Sequence, residues 1–129
     1  MAAGVPVTVL FAEEKSWLRE LFRPTLMMLG CDVVAEASCH TEAVRLFTEH
    51  RPNLILTNMR LSVGTGLDVL NDVKSIDPAA RVVFLTTHDD ANTRKQCMDA
   101  GASGFIVKNR PIEDFIAALA EHLPIPAAA

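Results

Sequence analysis

Long apolar runs, paired cysteines, blocks of basic residues and glycine-rich phosphate loops are all missing from this 129-residue chain. No apolar stretch approaches the roughly 18–20 residues a helix needs to cross a bilayer. The opening residues Met1–Pro6 also lack the basic segment of a secretion signal. The expectation is a cytoplasmic protein with no membrane partner. Three cysteines, Cys31, Cys39 and Cys97, form an odd set without C-x-x-C spacing. That excludes a disulfide framework and fits reduced thiols packed as small apolar side chains. The 12 Lys and Arg residues are outnumbered by 16 Asp and Glu, for a net charge of −4, and nowhere form a block. Direct nucleic-acid binding is excluded on that ground, since it needs clustered cations facing phosphates. The histidines His40, His50, His88 and His122 share no spacing that would assemble a metal site.

What is present is apolar material in a regular order. Half of the residues are hydrophobic and 22% are charged. A chain within the usual domain range of about 100–150 residues can bury roughly two-thirds of its unfolded surface without a disulfide or metal. One domain over 1–129 is expected, with its core at about 8–123. Residues 124–129, small and Pro/Ala-rich, read as a tail or linker stub.

Continuous apolar runs suited to doubly covered strands occur at Val7–Ala12, Val33–Ala35, Leu54–Leu56, Val82–Leu85 and Phe105–Val107. Segments of helical period lie between and after them: Ser16–Leu29, Glu42–His50, Gly66–Ser75, Ala91–Ala100 and Ile112–Leu123. Gly30 stops the first helix, Asp77-Pro78 the third and Gly101 the fourth, while Pro111 falls in the first turn of the fifth. Pro24, inside the first helix, should kink it or split it in two. The order (βα)₅, with long crossovers, predicts an α/β, doubly wound, three-layer sandwich around a five-stranded parallel sheet of flavodoxin-like type.

In such a sheet the ligand site lies at the carboxyl ends of the strands. Those ends carry Glu13-Glu14, Asn58-Met59-Arg60, Thr86-Thr87-His88 and Lys108-Asn109. Singly, each has an ordinary explanation: a solvated acidic pair, a β-forming threonine, a surface lysine. Together, carboxylates, an amide, hydroxyls and an ammonium on one rim are the donors that Mg²⁺ and phosphate prefer.

The motifs that carry these residues are T-V-L-F-A-E-E at the first strand, R-P-N-L-I-L-T-N-M-R-L-S-V-G-T-G around the third, V-V-F-L-T-T-H-D-D at the fourth and A-G-A-S-G-F-I-V-K at the fifth. In this order they resemble the response-regulator receiver domains of two-component phosphorelay signalling, the CheY-like family, from Thr8 to Leu123. The resemblance implies an Mg²⁺ position at Glu13, Glu14, Asn58 and Arg60. It implies a phosphoryl contact at Thr86 and Lys108 and an aromatic switch at Phe105. The implied partners are proteins: a histidine kinase, an output domain or a second copy. They would meet a face formed by the fourth helix (Thr93, Arg94, Lys95, Gln96) with the fifth strand and helix. With one receiver-like unit filling the chain, no output domain is expected within it.

Three departures from the family pattern alter the expectation. The phosphoacceptor aspartate is replaced by Asn58, the Met-Pro after it by Leu61-Ser62, and the proline after the lysine by Asn109. An ionised carboxylate can attack phosphorus, whereas a carboxamide oxygen is neutral and gives no stable acyl phosphate. With Lys108 counted as the only nearby cation, Glu13, Glu14 and Asn58 leave a site charge of −1, against −2 with an aspartate, which weakens Mg²⁺ binding. Glu14 also carries one methylene more than the usual aspartate, displacing its carboxylate by about 1.5 Å. The expectation is therefore a pseudo-receiver without enzyme activity, with a weak or empty metal site. In it Lys108 pairs with Glu13 or Glu14, and Asn58 bridges them by hydrogen bonds. Asp89-Asp90 serve only to cap the fourth helix.

Two alternatives stand beside this expectation. One is a working phospho-switch whose aspartate has been exchanged at position 58, or one moved by another ligand. The other, a flavodoxin-like nucleotide or flavin binder, is opposed by Glu13-Glu14-Lys15-Ser16, which puts anions where a phosphate loop would open.

Overall fold

The computed structural model describes residues 6–87, 90–108 and 111–123. The expectations placed on His88, Asp89, Asn109 and the tail at 124–129 lie outside the described residues. Five strands alternate with five helices: β1 (Val7–Ala12), α1 (Ser16–Met28), β2 (Cys31–Ala37), α2 (His40–His50), β3 (Leu54–Asn58), α3 (Gly66–Ile76), β4 (Val82–Thr86), α4 (Ala91–Asp99), β5 (Gly104–Val107) and α5 (Ile112–His122). All strand pairs are parallel, and the sheet order is β2-β1-β3-β4-β5. This is the doubly wound fold read from the sequence, with strand order reversing beside β1.

Alternation along each strand divides the core between two faces. Leu10, Ile55, Val82 and Phe84 point to the face covered by Ala43 and Phe47 of α2, Val69 and Val73 of α3 and Cys97 of α4. Val9, Leu56, Val83 and Ile106 point to the other, covered by Leu26 of α1 and Phe115 and Leu119 of α5. Phe22 joins Phe11 and Phe115 there, with ring centroids 6.4 and 5.0 Å away. Cys31 and Cys97 are buried as expected, and burial pushes both thiols up, Cys97 to about 11. Cys39 differs, being only half-buried at the N-cap of α2.

Some boundaries moved, for local reasons. β2 runs longer than Val33–Ala35 because its backbone pairs with β1 from Cys31 to Ala37 across a bulge. The polar Asp32 and Glu36 of this edge strand hide that length in the sequence. β3 extends to Asn58, which pairs with Leu85 of β4. α2 begins at His40, where Glu42 reaches back to accept from the Ser38 N–H at 2.9 Å. The helix containing Pro24 is not split: α1 continues from Ser16 to Met28 with the exposed proline inside it. Pro111 stands at the N-cap of α5, just ahead of its first turn. Gly30 and Gly101 end α1 and α4 at φ +84° and +104°, backbone that other residues rarely adopt. Among the described residues no helix is long and apolar enough to cross a membrane.

Candidate functional site

The end of β1 turns Glu13 inward, and its side chain is 1% exposed. A carboxylate that deep needs partners for its lone pairs. Glu13 Oε1 accepts from Lys108 Nζ at 3.1 Å and Oε2 from the Lys15 N–H at 3.2 Å. The Glu13 carbonyl accepts from the Arg19 guanidinium, and its N–H donates to the Ala37 carbonyl at 2.9 Å. Lys108, the residue after β5, is itself 93% buried at the side chain. Its backbone N–H donates to the Thr86 carbonyl at 2.6 Å. The ammonium passes the ends of β4 and β3 to meet a charge on β1, since Asn58, on the intervening strand, offers none.

Asn58 is held from behind. The Thr57 hydroxyl donates to the Asn58 carbonyl at 2.9 Å. The Gly66 N–H donates to the Met59 carbonyl at 2.8 Å, and an Arg60–Thr65 bridge closes the turn between them. A β-carbon on Gly66 would lie 2.5 Å from the Asn58 carbonyl oxygen and 2.7 Å from the Phe84 ring, so only glycine fits. Thr65 and Asp68 cap α3 reciprocally, fixing that glycine at the start of the helix.

Of the expected site residues, Glu13, Glu14, Asn58, Arg60 and Lys108 all line one 180 Å³ cleft. Thr86 lines an adjacent 330 Å³ cavity with Asn58, Arg60, Thr87 and Thr93. Phe105 stands apart, buried against the α2–α4 face, with the Arg94 guanidinium 4.7 Å above its ring. Lys108 chooses Glu13; Glu14 is exposed, and among the described residues no ion pair or hydrogen bond holds its carboxylate. Asn58 does not bridge the pair, because among the described residues its side chain makes no hydrogen bond to either partner. The charge estimate also changes. Two carboxylates share the cleft with Lys15, Arg60 and Lys108, so its formal charge is +1 rather than −1. The turn after β3 folds Arg60 back onto the rim, which the count of Lys108 alone overlooked.

This donor set fits a hard dication poorly. One carboxylate is already paired with an ammonium, the β3 ligand is a neutral amide, and the cleft is cationic. Among the described residues no three His, Cys, Asp or Glu side chains gather as a metal site. Sequence patterns do not single out Arg19 and Gly66. Arg19 sits one turn into α1, where its guanidinium ties the Glu13 carbonyl to Glu36 of β2 at 3.0 Å. Its only sequence signal was a cation six residues beyond Glu13.

Comparison with known proteins gives this rim its context. Residues 9–120 match the response regulator receiver domain. The chain is 32% identical over 117 residues to the transcriptional regulatory protein PdtaR of Mycobacterium tuberculosis, an alignment covering 91% of the chain and 57% of PdtaR. It thus spans little more than half the length of that relative. It is 29% identical over 100 residues to the chemotaxis protein CheY of Bacillus subtilis, covering 78% of the chain and 83% of CheY. Among solved structures, a LuxR-family two-component response regulator from Aurantimonas superposes with a TM-score of 0.85 at 26% identity, over 90% of the chain and 84% of that protein.

Proposed function

Because the chain belongs to the response regulator receiver domain family, we propose that it is a receiver of a two-component system that does not take up phosphate in the usual way and signals through protein contacts. The observation that carries this reading is the buried Lys108–Glu13 pair at 3.1 Å beside a neutral Asn58. The lysine that would meet a phosphoryl group is neutralised by a carboxylate on another strand. The side chain that would accept phosphate is a neutral amide, whose oxygen is a poor nucleophile and gives no stable acyl phosphate. With Glu13 paired to Lys108 and Asn58 neutral, Glu14 is the one uncommitted carboxylate lining the cleft, a poor ligand set for Mg²⁺.

Without phosphoryl transfer the module acts as a binding unit rather than an enzyme, and a histidine kinase, an output domain or a second copy are the partner classes. The α4–β5–α5 face is suited to polar docking. α4 carries Lys95 paired with Asp99 at 2.7 Å, and its N-terminus is capped by Asp90. Phe105 of that face is buried beneath the Arg94 guanidinium, which lies 4.7 Å from its ring centroid.

Acetyl phosphate with Mg²⁺, followed by intact-mass measurement, tests the reading. No mass gain on the chain and a gain of one phosphate on Asn58→Asp is the expected result. Phosphorylation of the chain as it stands overturns it. A failure of Asn58→Asp as well would move the block from Asn58 to Glu14 and the altered turns. A ligand-driven switch has one observation in its favour, the 330 Å³ cavity where Arg60 and Thr86 meet. Movement of the Thr86 amide resonance on adding inorganic phosphate without Mg²⁺ would support it.

A further inference from the structure

The basic side chains of this chain are nearly all committed. Among the described residues every Lys and Arg except Lys15 and Arg60 is held by a carboxylate, a backbone carbonyl or an aromatic ring. The two exceptions line the same cleft, and among the described residues their ammonium and guanidinium groups donate to nothing. Two cations brought together repel each other, and a bound anion relieves that. Of the carboxylates beside them Glu13 is spent on Lys108, which leaves Glu14 alone to offset two charges. Arg60 also lines the neighbouring 330 Å³ cavity, as do Asn58 and Thr87. That volume falls within the range of about 300–1,000 Å³ usual for small-molecule sites. The cavity is polar at Thr86, Thr87 and Thr93 and apolar at Met59. Its one carboxylate, Asp90, is engaged with α4, accepting from the Asn92 N–H and the Thr93 hydroxyl, both at 3.0 Å. The backbone that presents Arg60 is fixed on both sides. The Met59 carbonyl accepts from the Gly66 N–H at 2.8 Å, Leu61 is buried, and the Ser62 N–H donates to the Ser38 carbonyl at 2.9 Å. An uncommitted cation on a clamped turn is a preorganised ligand group.

We propose that the two cavities form one binding site for a small organic anion. Its single carboxylate or phosphate group sits at Arg60 and Lys15, and its uncharged polyhydroxyl body fills the 330 Å³ cavity. The chemistry of each part follows from its lining. A guanidinium takes a carboxylate or phosphate through two parallel N–H···O bonds, and Lys15 adds a point charge. The Thr87 and Thr93 hydroxyls and the Asn58 amide exchange hydrogen bonds with hydroxyls of the body. A second anionic group is disfavoured, because it would face Asp90. The anion is met by side chains, so its binding needs no metal, and Lys108 stays with Glu13. Arg60 belongs to the turn after β3 and Thr93 to α4, so a ligand touching both ties that turn to the helix. The proposal rests on the ligand-driven reading of this rim and names the ligand.

Isothermal titration of the intact chain in EDTA tests this, with gluconate, glucose 6-phosphate, glucose and inorganic phosphate as probes. At least one of the two sugar anions should bind with a dissociation constant below about 1 mM. Inorganic phosphate should bind at least about tenfold more weakly, and glucose not measurably. Arg60→Gln, at an exposed position, should weaken the sugar anion at least about tenfold with an unchanged circular dichroism spectrum. Thr87→Val, also exposed, should weaken it about threefold. Lys95→Gln, a cation on α4 that lines neither cavity, should leave it unchanged. Failure of both sugar anions to bind overturns the proposal, as does binding that survives Arg60→Gln. Glucose or inorganic phosphate binding as tightly as the sugar anion overturns the two-part site. Binding lost with Arg60→Gln that leaves the Thr86 resonance unmoved keeps the site and breaks the ligand-driven switch. Phosphate uptake from acetyl phosphate bears on Asn58 alone.

Discussion

Glu13 and Glu14 are adjacent, chemically identical and differ in almost every physical respect. Glu13 is 1% exposed, with both carboxylate oxygens and its carbonyl engaged, while Glu14 faces solvent and is held by nothing among the described residues. Both lie just past the end of β1, where the chain bends toward α1, and the bend turns Glu13 into the rim and Glu14 to solvent. The same division runs through the whole site. Lys108 and Glu13 form a dry, mutually neutralised half, whereas Glu14, Arg60 and Lys15 form a wet half whose charges water screens. A charged residue at a strand end thus has no fixed worth, since its contribution follows from which half it occupies.

The contrast is broken most severely by Lys108→Met. It strands the Glu13 carboxylate in a buried site and should cost about 3–5 kcal/mol of stability in urea unfolding at neutral pH. Adding Glu13→Gln should recover much of that loss. If the double variant is no more stable than Lys108→Met, the pair is not the coupled unit described. Gly66→Ala comes next. Its methyl group meets the Asn58 carbonyl and the Phe84 ring, and strain of about 1–3 kcal/mol is expected, with the Asn58 resonances displaced. Arg94→Met, which keeps the aliphatic stem but removes the cation over Phe105, should cost about 1 kcal/mol and broaden the Phe105 ring signals. Smallest is Glu14→Gln, expected to change stability by less than about 0.5 kcal/mol in the same urea titration. A loss comparable to that of Lys108→Met would erase the distinction between the two halves.

Most of the fold was legible because the apolar runs and helical periods are local patterns set by backbone geometry. The exceptions are instructive. β2 was read short because its register is supplied by β1, not by its own polar residues Asp32 and Glu36. Pro24 reads as a kink or a break in α1, and the helix passes through it unsplit, with Leu26 packed on the sheet beyond. In the site, the residue types and their strand ends were legible, but not the pairing. Choosing Glu13 over Glu14 as partner of Lys108 requires knowing which side chain turns inward. Finding Arg60 and Lys15 in the same cleft requires the turns that return them to it.

By itself, then, the sequence determined the (βα)₅ order, the rim at which polar groups meet, and the presence of an amide rather than a carboxylate at position 58. These follow from periodicity and from the chemistry of single side chains. Only the tertiary structure decided that Lys108 spends its charge on Glu13, that the cleft is cationic, and that Lys15 and Arg60 are left without partners among the described residues. Each of these depends on groups far apart in the chain, 95 residues in the case of Glu13 and Lys108. Their distance and shared burial, which set the strength of any charge or contact, come into being only when the sheet closes.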